Sequence, residues 1–386
     1  MKYLGELKPG ELVGKKVLLR VNLDVPFDEV TKKIGERFRI EAHKETVSYL
    51  LEAGAKILLI SHSSEVESFL PLVEEVGEIL GEIVTLVPHN ELPEVHQLFL
   101  AVPLLLLDNI RQDLREEEND RRLALSLSKG FDYYINDDFA TCHREHTSIV
   151  AITKVLPSYA GFLIKQEIEH LNVALEAPAE GKILVLGGAK ISTKLPVIEN
   201  FLNKCEKILI GGAVANNFFK AQGVEVGASV VDVTVPVPKL SFATEVDFVP
   251  AEIVLPMDIL VTDNKFGQGR NETKPLGNIA DEQLVADIGP KSAQQFAEII
   301  AGAKLVIWNG PMGLCEIEHF AGATKVVAEA VAKATESIVG GGDTIAATDA
   351  LGLLDKFSFV STGGGAMLKF LAGEELPGLV ALGYNE

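Results

Sequence analysis

Short runs rich in leucine, isoleucine and valine alternate with stretches of helical spacing along nearly the whole chain. The apolar runs at 16–21, 56–61, 82–87, 104–107 and 133–136 predict strands in the first half, and those at 182–186, 207–210, 304–308, 337–339 and 357–360 predict strands in the second. Between them, apolar residues recur with the period of a one-sided helix over 42–52, 70–80, 120–128, 196–204, 292–301 and 324–335. Strands that are apolar almost throughout are buried on both faces, as in a parallel sheet covered by helices. The pattern occurs twice. It predicts an α/β protein of two doubly wound, parallel-sheet (Rossmann-like) domains joined by a helix.

The division is expected near Pro157, with a first domain over 1–157, a connecting helix within 158–178 and a second domain over 179–373. Phe162, Leu163, Ile168, Leu171, Val173 and Leu175 give that helix its apolar stripe, and Ala177-Pro178-Ala179-Glu180-Gly181 ends it. A stiff connector of this kind suits a hinge. Residues 224–260, rich in valine and proline and without a helical period, predict an irregular or β-like stretch.

At 386 residues the chain is long for one core and comfortable for two domains. With 47% hydrophobic and 23% charged residues it reads as globular rather than disordered. The formal net charge of −20 argues against a nucleic-acid partner, which would require a basic face. Cys142, Cys205 and Cys315, odd in number and widely spaced, make neither a disulfide framework nor a zinc site and fit a reducing cytoplasm. No signal-peptide pattern opens the sequence and no apolar run is long enough to span a bilayer, so a membrane partner is not expected.

Within this acidic chain, eight of the nine arginines lie at or before position 144, while the conspicuous glycine turns come later. Arg20, Arg37, Arg39, Arg111 and Arg144 offer rigid donor forks for phosphate or carboxylate, and His62, His143 and His146 lie among them. Gly187-Gly188-Ala189-Lys190, Gly211-Gly212, Gly340-Gly341-Gly342-Asp343-Thr344 and Thr362-Gly363-Gly364-Gly365 offer backbone N–H groups instead. Two devices, one per half, predict two anionic ligands. Asn22, His62, Gly187, Gly211, Asn309, Gly340 and Ser361 each follow a predicted strand, where ligands of open α/β sheets bind. Neither a Walker A sequence nor a G-x-G-x-x-G turn is present. Lys190 and Lys194, four apart, would share a face and aim two charges at whatever the turn holds, or else be solvated. Asp343 reads as a Mg²⁺ ligand beside phosphates, as a helix N-cap, or as both. The loop from Trp308 through Asn309, Gly310, Pro311 and Met312 to Gly313 reads as a nucleoside wall or as ordinary turn chemistry. His43 and His170, on helical stretches, are expected at the surface or partly buried.

Strings in this order resemble phosphoglycerate kinase over almost the whole chain. They include Leu19-Arg20-Val21-Asn22-Leu23-Asp24-Val25-Pro26, Leu58-Leu59-Ile60-Ser61-His62, Asp108-Asn109-Ile110-Arg111 and Asp287-Ile288-Gly289-Pro290-Lys291, together with the glycine turns above. The resemblance implies reversible phosphoryl transfer between 1,3-bisphosphoglycerate and ADP, giving 3-phosphoglycerate and ATP, with Mg²⁺. It implies an acid-binding first domain completed by residues 374–386, with Asn22, Leu23 and Asp24 at the glycerate, His62, Arg111 and Arg144 at its 3-phosphate, and Arg39 as the catalytic arginine. On the nucleotide side it implies Lys190 and Lys194 near the transferring phosphoryl, Gly211 and Gly212 at adenine, and Glu316 at ribose. Asn309 and Pro311 would contact the nucleotide, and Asp343 would meet Mg²⁺ and its phosphates. Gly341, Gly342, Thr344 and Gly364 would supply backbone donors near the transferring group. A cytoplasmic monomer is the accompanying expectation.

The chain departs from the family where the acid binds. The pattern R-V-D-x-N-V-P has its acid and amide exchanged, giving Asn22 and Asp24, and S-H-L-G-R-P becomes Ser61-His62-Ser63-Ser64-Glu65-Val66, so Glu65 replaces a phosphate-binding arginine. Thr193 stands where G-A-K-V-x-D-K has its acid. The leading expectation is an active kinase with a weakened glycerate site. A diverged phosphotransferase acting on another carboxylate or acyl phosphate, and a nucleotide-binding relative without turnover, remain as alternatives.

Overall fold

The structure, a computed structural model, describes residues 1–234 and 250–385. The chain folds into two compact units, one formed by Met1–Glu169 with the residues from Glu375 on, the other by His170–Glu374.

The first unit contains β1 (Lys16–Arg20), β2 (Phe27–Asp28), β3 (Lys33–Ile34), β4 (Lys56–Ile60), β5 (Thr85–Val87), β6 (Leu104–Leu107), β7 (Tyr133–Asn136) and β8 (Ser158–Ala160). β2 and β3 pair as a small antiparallel ribbon. The other six form an all-parallel sheet in the order β5-β6-β4-β1-β7-β8. Alternation explains why these strands are apolar throughout. Val17, Leu19, Ile57, Leu59, Leu104 and Leu106 pack into a core on one face. Leu18, Leu58, Ile60, Leu105 and Leu107 pack into a second core on the other.

The second unit repeats the scheme with β9 (Lys182–Leu186), β10 (Lys207–Ile210), β11 (Glu252–Val254), β12 (Asp258–Thr262), β13 (Asn271–Pro275), β14 (Leu284–Ile288), β15 (Leu305–Asn309), β16 (Ser337–Gly340) and β17 (Phe359–Ser361). Its parallel sheet runs β11-β10-β9-β15-β16-β17, and β13-β12-β14 form a separate antiparallel sheet. In each unit the strand order reverses beside the first strand, at β1/β7 and at β9/β15. Such a reversal opens a crevice beyond the carboxyl ends of the strands.

Two expectations need correction, the strand over 82–87 and the placing of His43. The strand predicted over 82–87 begins only at Thr85, because Gly81, in a left-handed conformation, ends the preceding helix and the N–H of Glu82 turns back to the carbonyl of Gly77 at 3.0 Å. The stretch 224–260 contributes β11 and most of β12, while residues 235–249, with Pro236 and Pro238, lie outside the described residues. His43 is not at the surface: it precedes the helix Lys44–Glu52 and is fully buried. His170 is half-buried and stacks on Phe359, ring centroids 4.1 Å apart. It lies on the helix Phe162–Glu176, which belongs to the first unit as far as Glu169 and to the second from His170. The buried ammonium of Lys182 donates to the carbonyl of Ala174 at 2.8 Å and so caps that helix's carboxyl end.

Candidate active site

In the first unit the carboxyl ends of β1, β4, β6 and β7 surround a cluster of cations. Arg20, the last residue of β1, is fully buried and joins Asp138 at 3.1 Å. Its guanidinium also donates to Ser148 Oγ (3.2 Å), the carbonyl of Ile60 (3.3 Å) and His62 Nδ1 (2.8 Å). Arginine has only donors, so Nδ1 of His62 must accept and Nε2 must carry the proton. Burial, with Arg20, Arg111, Arg144 and His146 close by, holds the His62 pKa far below its usual value, so the ring is neutral at pH 7. Nε2–H lies 3.3 Å from Arg144 Nη1 and 3.5 Å from Asp24 Oδ2. Two donors so close cannot bond each other, and a shared anionic oxygen satisfies both. Burial and Arg111 also lower the Arg144 pKa, and burial with Arg144 and Arg111 pushes His146 down to about 4. An anion would relieve this crowding.

The remaining acid-side candidates line the same end of the sheet. The N–H of Asp24 donates to Asn22 Oδ1 at 2.9 Å, and buried Leu23 gives its N–H to Ser61 Oγ at 2.9 Å. Arg39, on the short helix Phe38–Glu41, pairs with Glu36 at 2.7 Å and donates to the carbonyl of Asp24 at 3.3 Å. Arg111 pairs with Glu117 at 3.2 Å. Glu65 is exposed, and its carboxylate makes no ion pair among the described residues. Asp138, Glu116 and Ser148 are not expected at the site from the sequence, yet they position Arg20, which in turn donates to His62. Burial raises the Glu116 pKa, opposed by the Ser148 hydroxyl at 2.6 Å.

In the second unit, a cavity of ≈ 670 Å³ is lined by Gly188, Gly212, Pro311, Met312, Glu316 and Asp343, among others. The loops after β9, β10, β15 and β16 build three of its sides, and Leu284–Asp287 of β14 close another. That antiparallel wall had no counterpart in the sequence reading. Gly212 has φ +58°, and a Cβ there would lie 2.6 Å from the N of Gly188 and 2.8 Å from the carbonyl oxygen of Pro311. Only glycine lets the three loops close so tightly. Gly211, Gly341 and Gly364 are the N-caps of the helices Gly212–Ala221, Gly342–Ala350 and Gly365–Leu371, none of which has a side-chain cap. In the first of these the N–H groups of Gly212 and Val214 already bond the carbonyls of Met312 (2.9 Å) and Gly188 (3.1 Å), and in the third those of Ala366 and Met367 bond the carbonyl of Gly363, so of the three it is the helix Gly342–Ala350 whose first turn is left for an anion.

Lys190 is exposed and precedes a single 3₁₀ turn, Ile191–Thr193. Lys194 is the N-cap of the helix Leu195–Phe201, not a member of its first turn, and burial lowers its pKa, with Asp343 opposing and Lys190 adding to the effect. Asn309 is buried, and its carbonyl accepts the N–H of Gly187 at 3.0 Å. Thr344 is also buried, and its hydroxyl accepts the N–H of Gly310 at 2.7 Å, which leaves its backbone rather than its side chain for a ligand. Glu316 and Asp343 are exposed at the cavity. Among the described residues no cluster of three metal-ligating side chains exists. A single carboxylate beside phosphate-binding donors is what Mg²⁺ uses when phosphates complete its shell, so Asp343 fits that ion.

A neutral histidine and arginine anion site on one α/β unit, and a nucleoside-sized cavity rimmed by glycine turns and lysines on the other, define a nucleotide-dependent phosphotransferase. The family described as Phosphoglycerate kinase matches residues 7–374. A cytosolic phosphoglycerate kinase of Triticum aestivum is 40% identical over 99% of this chain and 98% of its own length. That of Pseudothermotoga lettingae is 41% identical over 97% of both. The solved phosphoglycerate kinase of Pyrococcus horikoshii superposes with a TM-score of 0.84 at 30% identity, covering 99% of this chain and 98% of the other. That of Coxiella burnetii gives 0.81 at 33% identity over the same shares. The chain belongs to the phosphoglycerate kinase family.

Proposed function

We propose that this chain is a working phosphoglycerate kinase, with the acid held by the first unit and the nucleotide by the second. In the direction of acid phosphorylation, a carboxylate oxygen of 3-phosphoglycerate attacks the γ-phosphorus of ATP. The bond from that phosphorus to the β–γ bridging oxygen breaks, and ADP leaves with the electron pair. A carboxylate is already ionised at pH 7, so no general base is required. Catalysis reduces to alignment and stabilisation of charge on the moving group.

The observation that carries the acid assignment is the donor pair His62 Nε2–H and Arg144, 3.3 Å apart, set among further cations. In this reading His62, Arg111 and Arg144 take the 3-phosphate, and the loop of Asn22, Leu23 and Asp24 takes the glycerate. Arg39, Lys190 and Lys194, with the backbone N–H groups of Gly341, Gly342, Thr344 and Gly364, stabilise charge on the transferring group. Gly211, Gly212, Asn309 and Pro311 shape the adenosine pocket, and Glu316 takes the ribose. Mg²⁺ entering with the nucleotide would be held by Asp343 and would neutralise phosphate charge.

Because one copy of the chain holds both sites, we assign it as a monomer that closes about the helix Phe162–Glu176. Three free cysteines fit a reducing cytoplasm. Among the described residues no helix is long and apolar enough to cross a membrane. A coupled assay with 3-phosphoglycerate and Mg-ATP tests the central reading: turnover on the order of 1–100 per second is expected of a kinase. Nucleotide binding without turnover of this acid would refute it. Light scattering that reports a dimer would refute the monomer.

A further inference from the structure

Behind the acid-side loop runs a buried chain of hydrogen bonds that phosphoryl transfer does not itself use. The backbone N–H of Asn22 donates to His43 Nε2 at 2.9 Å, and His43 Nδ1 lies 2.9 Å from Asp137 Oδ2. The other oxygen of Asp137 accepts the N–H of Leu163 at 2.9 Å, in the first turn of the helix Phe162–Glu176. Thr46, which also bonds the Asp137 carboxylate, takes the N–H of Phe162 on its hydroxyl at 3.1 Å. His43, Thr46 and Asp137 are all buried, with at most 1% of any of them exposed. A Cβ on Gly161 would lie 2.0 Å from Asp137 Oδ1, so the helix can start this close to the carboxylate only because residue 161 is glycine.

The chemistry of the chain fixes where the proton sits. A backbone N–H can only donate, so Nε2 of His43 is bare, and Nδ1 carries the proton that bonds the carboxylate. His43 is therefore an acceptor toward the loop and a donor toward the helix. A displacement of Asn22 would spread, because Asn22 Oδ1 holds the N–H of Asp24 and the carbonyl of Asp24 accepts from Arg39. Removing the imidazole would leave a buried N–H on one side and a buried carboxylate oxygen on the other without their partner.

We propose that His43 is a positioning residue for the acid substrate: seated on Asp137, it holds the loop of Asn22, Leu23 and Asp24 in its binding register and ties that loop to the first turn of the helix Phe162–Glu176. The inference rests on the assignment of this loop to 3-phosphoglycerate.

Three full-length variants test it. In His43→Gln the amide oxygen reaches the place of Nε2 and still accepts from Asn22. In His43→Asn the amide reaches only the place of Nδ1 and can still donate to Asp137. His43→Ala does neither. The Asn and Ala variants are expected to raise KM and calorimetric Kd for 3-phosphoglycerate about three- to tenfold, the worth of one backbone hydrogen bond, with KM for Mg-ATP unchanged. The Gln variant is expected to stay close to the parent. Equal losses for both substrates, or retention by Asn and loss by Gln, would overturn the proposal. Should the variants fail to fold, ¹⁵N spectra of the unaltered protein decide. A bare Nε2 whose resonance moves on saturation with 3-phosphoglycerate, and not with Mg-ADP, supports positioning; a resonance indifferent to the acid overturns it. If the unaltered protein does not bind 3-phosphoglycerate at all, the functional reading falls instead.

Discussion

Replacing Arg20 by methionine should damage the first unit in a way that can be measured in both stability and binding. The side chain is fully buried, and so is its partner Asp138, 3.1 Å away. Removing one member of a buried ion pair leaves the other uncompensated and typically costs about 3–5 kcal/mol. Asp138 keeps the N–H of Thr141 at 3.2 Å and its hydroxyl at 2.7 Å, which places the loss toward the lower end. A loss of about 3 kcal/mol corresponds to roughly a hundredfold in the opening equilibrium. Amide hydrogen exchange reads this directly: the slowest amides of β1, β4 and β7 should exchange about a hundred times faster in Arg20→Met. Trp308, the sole tryptophan, lies in the second unit, so its fluorescence reports that unit separately. In addition, His62 loses the donor that fixes its Nδ1 as acceptor, so the affinity for 3-phosphoglycerate should fall with that for Mg-ATP intact. Arg20→Lys, which keeps the charge but not the fork, should fall between the two. Exchange in β1 and β4 accelerated less than about threefold would refute the argument, because so small a change is below the worth of even one net hydrogen bond.

Glu65→Arg should lower KM for 3-phosphoglycerate, by up to the tenfold or more that about 1.5–3 kcal/mol of a charge-assisted contact supplies, without altering KM for Mg-ATP; an unchanged KM would mean that residue 65 does not reach the acid. Gly212→Val should abolish nucleotide binding in calorimetry, since its Cβ would lie 2.6 Å from the N of Gly188; retained affinity would mean that the loops rearrange at low cost. Burial pushes the Asp287 carboxyl up to about 7 from 3.8, against the N–H groups of Ala323 and Ile288. A raised pKa in the folded state stabilises below the unfolded value and is lost as pH rises through about 7. Melting followed by Trp308 fluorescence should therefore weaken from pH 4 to pH 7, and Asp287→Asn should flatten that slope; an equal slope in the variant would refute the assignment. Small-angle scattering with both substrates should show compaction, and an unchanged radius of gyration would exclude closure.

The sheets were legible because their strands are buried on both faces and so stay apolar at every position, as in Val17, Leu18 and Leu19. β13 was not, since Asn271-Glu272-Thr273-Lys274-Pro275 is a polar, mostly exposed strand with no apolar run to betray it. The helix Gly342–Ala350 is capped differently from the sequence expectation: Asp343 is not its N-cap but a member of its first turn, and the N-cap is Gly341, whose lack of a side chain gives no capping signal. On the nucleotide side, turns carry chemistry in consecutive residues, and they could be read directly. On the acid side the support is nonlocal. Arg20 reads from the sequence as one more anion-binding arginine, and nothing in the sequence says that Asp138, Ser148 and His62 converge on it. His43 was misread for the same reason: a lone histidine on a helical stretch gives no hint that Asn22 lies on one side of it and Asp137 on the other.

The exchange of acid and amide at positions 22 and 24 is tied structurally to the loop that carries Ser64. Asp24 Oδ1 accepts both the N–H of Ser64 at 2.7 Å and its hydroxyl at 2.8 Å, while Oδ2 faces His62 at 3.5 Å. The carboxylate moved from position 22 to position 24 is thus anchored to the loop that also replaced an arginine by Glu65. Asn22, now neutral, uses its side-chain oxygen on the N–H of Asp24 and its own N–H on His43. With an amide at position 22, the negative charge sits at Asp24, where two hydrogen bonds from Ser64 hold Oδ1 and Oδ2 lies 3.5 Å from His62. Reverting Asn22 and Asp24 without Ser64 would leave the Ser64 N–H and hydroxyl facing an amide in place of a carboxylate. Substitutions at 22, 24 and 64 should therefore be strongly non-additive, whereas Glu65, exposed and outside this set of bonds, should add independently.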